Sequence, residues 1–269
     1  MNRIDHLFEE ARQRQQVAFV PFLTAGDPDL ETTFRVARLI ADIGQEKNIP
    51  VLVELGFPYS DPLADGPTIQ TSYAHSLDRG TTVPAIFESV KQFRQESSAP
   101  LAGMVSFSIV HRRRPEAFMK QAKDSGIDGL IIPDLPVEES EPLRTIANSL
   151  DLKLIQLVAP TTRPDRLPKI ASSATGFLYY ISVTGITGER RSLPVDLQKR
   201  VAELREQTRV PICVGFGVSE PEQVRSIAEI ADGVIVGSAL VRRVGEIGPD
   251  RDLAKIESFI RELIQPLAR

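Results

Sequence analysis

Short apolar runs alternate with longer amphipathic segments along the whole chain. The runs predict strands at Ala18–Leu23, Pro50–Leu55, Leu101–Phe107, Gly129–Ile132, Lys153–Val158, Gly176–Ile181, Val210–Val214 and Gly233–Val236. Each is short and largely apolar, as expected of parallel strands covered on both faces. Between them apolar residues recur at helical spacing, as at Phe34, Val36, Ala37, Leu39 and Ile40 within Thr32–Ile43. The same period predicts helices over Pro84–Phe93, Glu116–Ser125, Glu138–Ser149, Asp165–Ser172, Pro194–Glu206, Pro221–Ile230 and Leu253–Leu263. Ser219 before Glu220-Pro221 and Thr162 before Pro164-Asp165 read as helix caps.

Eight strands alternating with eight helices imply a parallel sheet with right-handed crossovers. The chain has 269 residues, and a closed barrel of such units takes roughly 250. The expected architecture is a single α/β domain over residues 1–269, a (β/α)8 TIM barrel. The additional N-terminal helix, Ile4–Arg14, would cover its floor. An open, doubly wound sheet is the alternative. The pattern shows no linker, low-complexity segment or half-barrel repeat.

Composition narrows the function. Hydrophobic residues make up 42% and charged residues 25%, and the net charge of −4 does not suit nucleic acid. The basic cluster Arg112-Arg113-Arg114 reads as a solvated turn. The one cysteine, Cys213, lies in an apolar run and reads as a buried small residue. His6, His75 and His111 lack metal-ligand spacing, so no metal site is expected. No apolar run approaches the ~20 residues of a membrane span, and no signal-peptide core is visible. The expected location is cytoplasmic.

The most informative stretch is Val53-Glu-Leu-Gly-Phe-Pro-Tyr-Ser-Asp-Pro-Leu-Ala-Asp-Gly-Pro-Thr-Ile-Gln70. Glu54 stands inside an apolar strand, near the C-terminal end where barrel active sites form. A carboxylate there needs a purpose or a partner: it serves proton transfer, or it is a structural group that caps a helix or pairs with a cation. Asp61 and Asp65 follow in the loop, where Asp-Pro and Asp-Gly also suit plain turns. Glycines cluster after the sixth, seventh and eighth strands, in Thr184-Gly-Ile-Thr-Gly188, Gly215-Phe-Gly217 and Gly237-Ser238. Loops after the last strands of a barrel, with a short helix N-terminus, hold phosphate through backbone N–H groups, so a phosphorylated ligand is expected. The long segment from Val183 to Leu193, with Arg190 and Arg191, reads equally as a lid or a solvated loop. Walker, zinc and GxGxxG patterns are missing. Lys153 begins its strand on the opposite rim, which disfavours a Schiff base.

These segments resemble the tryptophan synthase α subunit family over nearly the whole chain. The resemblance rests on Phe19-Val-Pro-Phe-Leu-Thr-Ala-Gly-Asp-Pro28, on Glu54 through Gln70, and on Pro133-Asp-Leu-Pro-Val-Glu-Glu-Ser140. Ala159-Pro-Thr161, Gly185-Ile-Thr-Gly188, Val214-Gly-Phe-Gly-Val-Ser219 and Val236-Gly-Ser-Ala239 continue it. It implies retro-aldol cleavage of indole-3-glycerol phosphate to indole and D-glyceraldehyde 3-phosphate. Glu54 falls on the catalytic acid/base and Asp65 on the group that binds the indole N–H. Thr187 resembles the lid threonine that orients the aspartate. Phosphate donors carry over to Gly188, Gly217, Gly237 and Ser238, and the indole surroundings to Phe22, Ile131, Tyr179 and Phe216. The resemblance also implies an α2β2 assembly with a β subunit that holds pyridoxal phosphate. No cofactor is expected in this chain itself. The expected partner surface is the rim around Asp61, Pro62, Asp134 and Pro136.

Two segments depart from the family pattern. The third strand usually ends in Tyr-x-Asn with a glycine a few residues on. Here it reads Ser106-Phe-Ser108, then His111-Arg-Arg-Arg114. That region bears on substrate packing and partner coupling. The junction Gly44-Gln-Glu-Lys-Asn-Ile-Pro50 is longer than usual but lies on the far rim. A free-standing lyase that releases indole is the alternative enzyme. A non-catalytic activator of the β subunit and a phosphate-binding barrel of histidine biosynthesis are the remaining readings.

Overall fold

The computed structural model describes residues 1–62, 65–181, 196–215, 217–248 and 250–268. Eight strands, β1 (Ala18–Thr24), β2 (Val53–Gly56), β3 (Leu101–Met104), β4 (Gly129–Ile131), β5 (Lys153–Val158), β6 (Leu178–Ile181), β7 (Ile212–Gly215) and β8 (Gly233–Val236), follow in sequence order. They form a closed parallel barrel, with β8 pairing back onto β1. The barrel expectation holds and the open sheet is excluded.

The first helices in chain order are α1 (Arg3–Gln13), α2 (Leu30–Lys47), α3 (Pro67–Asp78), α4 (Val83–Glu96), α5 (Phe107–Arg112) and α6 (Pro115–Ser125). They are followed by α7 (Glu141–Ser149), α8 (Leu167–Ser173), α9 (Leu197–Gln207), α10 (Pro221–Ala228), α11 (Ser238–Gly245) and α12 (Ala254–Leu263). One apolar cluster fills the layer between strands and helices. A second fills the barrel interior and includes Val20, Leu52, Ala102, Ile131, Phe177 and Cys213. Cys213 is therefore a buried core residue.

The floor is closed by α1, as expected. Ile4, Leu7 and Phe8 join the interior cluster. Asn2 accepts the Ile4 N–H and donates to the carbonyls of Asp128 and Asp151, which pins the helix to two neighbouring loops. Lys153 lies at this end, paired with Asp5 at 2.5 Å.

Local chemistry explains where boundaries differ from the sequence pattern. The third strand stops at Met104 instead of reaching Phe107. The Ser106 hydroxyl accepts the Ser108 N–H, and a carboxylate from the loop after β4 accepts the Phe107 N–H. Those donors are thereby committed to the start of α5 rather than to the ladder. The periodicity did not reveal α3, because Ser72 and Ser76 sit on its buried face beside Ile69 and Tyr73. Two cap assignments also change. Glu220, not Ser219, caps α10 in a reciprocal box with Gln223. Thr162 closes a turn by accepting the Ala159 N–H, and α8 begins five residues later.

Candidate active site

Alternation along β2 decides the direction of Glu54. Val53 and Leu55 belong to the outer cluster and Leu52 to the interior cluster, so Glu54 faces inward. It pairs in register with Phe22 of β1 and Ala102 of β3. It is 0% exposed, and neither carboxylate oxygen has a hydrogen-bond partner. Glu54 is thus neither a helix cap nor half of an ion pair among the described residues. Burial, and then the charge of Asp65, raise its pKa to about 8. The group carries its proton at neutral pH, as a general acid must.

Asp65 stands at the end of the loop after β2, just before α3. Its main-chain N–H donates to the Pro62 carbonyl at 3.1 Å, and its carbonyl accepts from Gln70 Nε2 at 2.8 Å. Burial raises its pKa to about 6, and the nearby Tyr59 hydroxyl opposes that rise. Tyr179 of β6 and Tyr73 of α3 both feel the charges of Glu54 and Asp65. The two acids therefore belong to one electrostatic cluster that reaches across the barrel.

An apolar wall adjoins them. Phe22 packs with Ile69, Tyr73 and Val241, and Tyr59 and Met104 lie against that group. Ile131 is fully buried in the interior cluster, where Tyr179 and Met104 also pack. Met104 belongs to both groups and pairs with Ile131 in register, so it joins the two. The Gly215 backbone approaches Tyr179 closely, and an added Cβ would lie 2.9 Å from its hydroxyl.

Gly215 and Gly237 stand beside this wall. Gly237 precedes α11 and offers no side chain to cap it, which leaves first-turn N–H groups for an anion. An added Cβ at Gly237 would meet only Phe22 Cβ, at 3.8 Å. Ser238 opens the helix and is 7% exposed. Gly217 takes φ 48°, a left-handed conformation that suits glycine. Thr187, Gly188, Phe216 and the Val183–Leu193 segment lie outside the described residues.

The rim residues fall on two loops. Asp61 is exposed and Pro62 half-buried after β2, and Asp134 and Pro136 are exposed after β4. Asp61 accepts a hydrogen bond from Ser60. Among the described residues, no group of His, Cys, Asp and Glu could hold a metal ion.

Comparison with known proteins places this arrangement. The family model for the tryptophan synthase alpha chain matches residues 8–266. The tryptophan synthase alpha chain of Gloeobacter violaceus is 45% identical over 262 residues, 97% of this chain and 93% of the relative. The chain belongs to the tryptophan synthase alpha chain family. Its activity is that family's carbon–carbon lyase reaction, cleavage of indole-3-glycerol phosphate. The alpha chain of Thermosynechococcus vestitus is 44% identical over 97% of this chain and 96% of its own length. The crystal structure of the alpha subunit from Legionella pneumophila has a TM-score of 0.89 at 31% identity, covering 99% of this chain and 98% of that one. A chain from the tryptophan synthase α2β2 complex of Pyrococcus furiosus has a TM-score of 0.84 at 36% identity, covering 93% of this chain and 97% of that one.

Within this alpha chain, the sequence pattern alone missed Tyr59, Tyr73 and Met104. Tyr59 stands inside the most informative stretch. Its spacing to Asp65 carried no recognisable period, because a loop brings them together. Tyr73 lies on the helix that the pattern did not show. Met104 reads as an ordinary strand residue until its two packing partners are known.

Proposed function

We propose that Glu54 and Asp65 carry the lyase chemistry, with residues 1–269 acting as one domain. The observation that supports this most is a fully buried Glu54, without a hydrogen-bond partner among the described residues, that carries its proton at neutral pH within the field of a second acid. Glu54 protonates indole C3, giving an indolenine cation whose N–H Asp65 stabilises. Glu54, now a base, takes the proton of the adjacent glycerol hydroxyl. The carbon–carbon bond breaks, its electrons return to the ring, and indole and D-glyceraldehyde 3-phosphate result.

The phosphate sits on the α11 N-terminus, at Gly237 and Ser238, with Gly217 and Gly188. Phe22, Ile131, Tyr179 and Phe216 surround the indole, and Thr187 orients Asp65. This chain needs no cofactor for such chemistry. The partner is a tryptophan synthase β subunit holding pyridoxal phosphate, in an α2β2 assembly. It docks on the rim at Asp61, Pro62, Asp134 and Pro136. The relative from Pyrococcus furiosus, solved as an α2β2 complex, supports that partner. No described helix is long and apolar enough to cross a membrane, and a cytoplasmic location is proposed.

The test is indole release from indole-3-glycerol phosphate, with and without the β subunit. Glu54→Gln and Asp65→Asn should each lose essentially all turnover while the fold persists. Turnover of Glu54→Gln within about tenfold of the parent, a barrier change of only ~1.4 kcal/mol, would remove Glu54 from the role. Full activity alone, with no association at micromolar concentrations, would indicate a free-standing lyase.

A further inference from the structure

The basic cluster after α5 is a solvated turn, as expected, and it stands at the same end of the barrel as the active site. β3 ends at Met104 and α5 begins beyond it, anchored by the Asp134 carboxylate, which accepts the Phe107 N–H at 2.7 Å. α6 then returns to the floor. The Gly126 carbonyl at its C-terminal end accepts from Arg94 Nε at 2.8 Å. Arg94 pairs with Asp128, whose carboxylate holds the Leu101 N–H at the start of β3. His111–Arg114, between α5 and α6, therefore lie on the rim that carries Asp134. His111, Arg112 and Arg114 are exposed and Arg113 is half-buried. Among the described residues, none of the three arginines forms an ion pair or a side-chain hydrogen bond.

Arg114 also carries backbone strain. Its φ is 64°, in the left-handed region that suits glycine. The conformation is held on both sides. The Arg114 N–H donates to the His111 carbonyl at 3.1 Å, and its carbonyl accepts the Phe118 N–H at 3.0 Å as α6 begins. Pro115 follows and narrows the choice of backbone further. The Arg114 side chain does not cap α6. Glycine would fill this turn without a steric cost, so local folding does not account for an arginine there. We infer that Arg112, Arg113 and Arg114 form a docking patch for the β subunit, where they meet a cluster of its carboxylates. This rests on the partner rim proposed at Asp134 and Pro136. The patch is continuous with that rim, because Asp134 anchors the helix that presents it. Guanidinium groups with no internal partner fit carboxylates in bidentate geometry. The chain as a whole carries a net charge of −4, so a local cationic patch gives an approaching acidic surface one favoured orientation.

The experiment titrates the full-length chain with its cognate β subunit by calorimetry, at low and at high salt. It compares the parent, Arg114→Gly, Asp134→Ala and the triple variant Arg112→Gln/Arg113→Gln/Arg114→Gly. Arg209→Gln, an exposed cation ahead of β7 at the floor, is the control. The triple variant should bind about tenfold more weakly at low salt and lose far less at high salt, where the parent's advantage is screened. Arg114→Gly alone should bind about threefold more weakly and yet melt no lower than the parent, because relieved strain offsets the freedom glycine adds to the unfolded chain. Lyase turnover of each arginine variant without the β subunit should match the parent, and Arg209→Gln should bind as the parent does. Parent-like affinity and salt dependence in the triple variant, with Asp134→Ala weakened, would overturn the patch and leave the rim standing. So would loss of binding to heparin alone, which would make the cluster a general polyanion surface. No association of the parent itself would overturn the partner reading, and the patch with it.

Discussion

Ser106 donates its hydroxyl to Asp134, Oγ to Oδ2 at 2.8 Å, and so ties the end of β3 to the loop after β4. Asp134 also accepts the Phe107 N–H at 2.7 Å, which caps α5 from a separate loop. The family departure at the third strand is thus built into the proposed partner rim. Asp134→Ala should weaken association with the β subunit by at least about tenfold in a calorimetric titration, because both the rim carboxylate and the α5 anchor are lost. Ser106→Ala should weaken it less and lower the unfolding free energy by about 1 kcal/mol, read by urea denaturation. Equal association of all three proteins would place the partner elsewhere.

The lyase rate should follow a bell-shaped pH profile. Burial raises Asp65 to about 6 and Glu54 to about 8. In the proposed mechanism turnover needs Asp65 ionised and Glu54 protonated, so the rate should rise through about pH 6 and fall through about pH 8. The two acids interact, and the limbs report apparent values for the pair. A rate that keeps rising past pH 9 under chemistry-limited conditions would contradict Glu54 as the initial acid.

Glu54→Gln should be more stable than the parent at alkaline pH. The Glu54 carboxyl rises from 4.5 to about 8 on folding, so the folded state binds its proton more tightly than the unfolded chain. The stabilisation that proton brings is complete below pH 4.5 and is lost as pH rises through 8. Glutamine carries no such charge. Melting temperatures at pH 4 should be nearly equal, and at pH 9 the variant should melt higher. A parent that melts higher at pH 9 would mean that Glu54 has a stabilising partner when ionised.

Gly237→Ala should separate binding from folding. Its Cβ would meet only Phe22 Cβ at 3.8 Å, an ordinary contact, so the protein should melt close to the parent. In the proposed phosphate site that methyl group would nonetheless stand where phosphate oxygens approach the α11 N-terminus. Affinity for a glycerol phosphate analogue should fall more than about tenfold, and affinity for an indole analogue much less. Equal losses for both ligands would remove Gly237 from the phosphate site.

The chain order of the barrel was legible in the sequence because its information is local. Short apolar runs, helical periods and the alternation of Leu52, Val53, Glu54 and Leu55 depend on neighbouring residues, and so does the glycine before α11. Those features were enough to give an eight-stranded barrel, a buried acid at the end of β2 and the expectation of a phosphate site after β8. What the tertiary structure decided concerns residues far apart in the chain. Among the described residues Glu54 lacks a hydrogen-bond partner, because β1 and β3 place Phe22 and Ala102 beside it, and neither offers a polar side chain. Met104 joins two apolar groups only once β3 lies beside β4. Phe107 starts a helix instead of ending a strand because Asp134, 27 positions on, takes its N–H. A hydrogen bond or a buried charge is settled by which groups share a space, and period and propensity along the chain do not specify that.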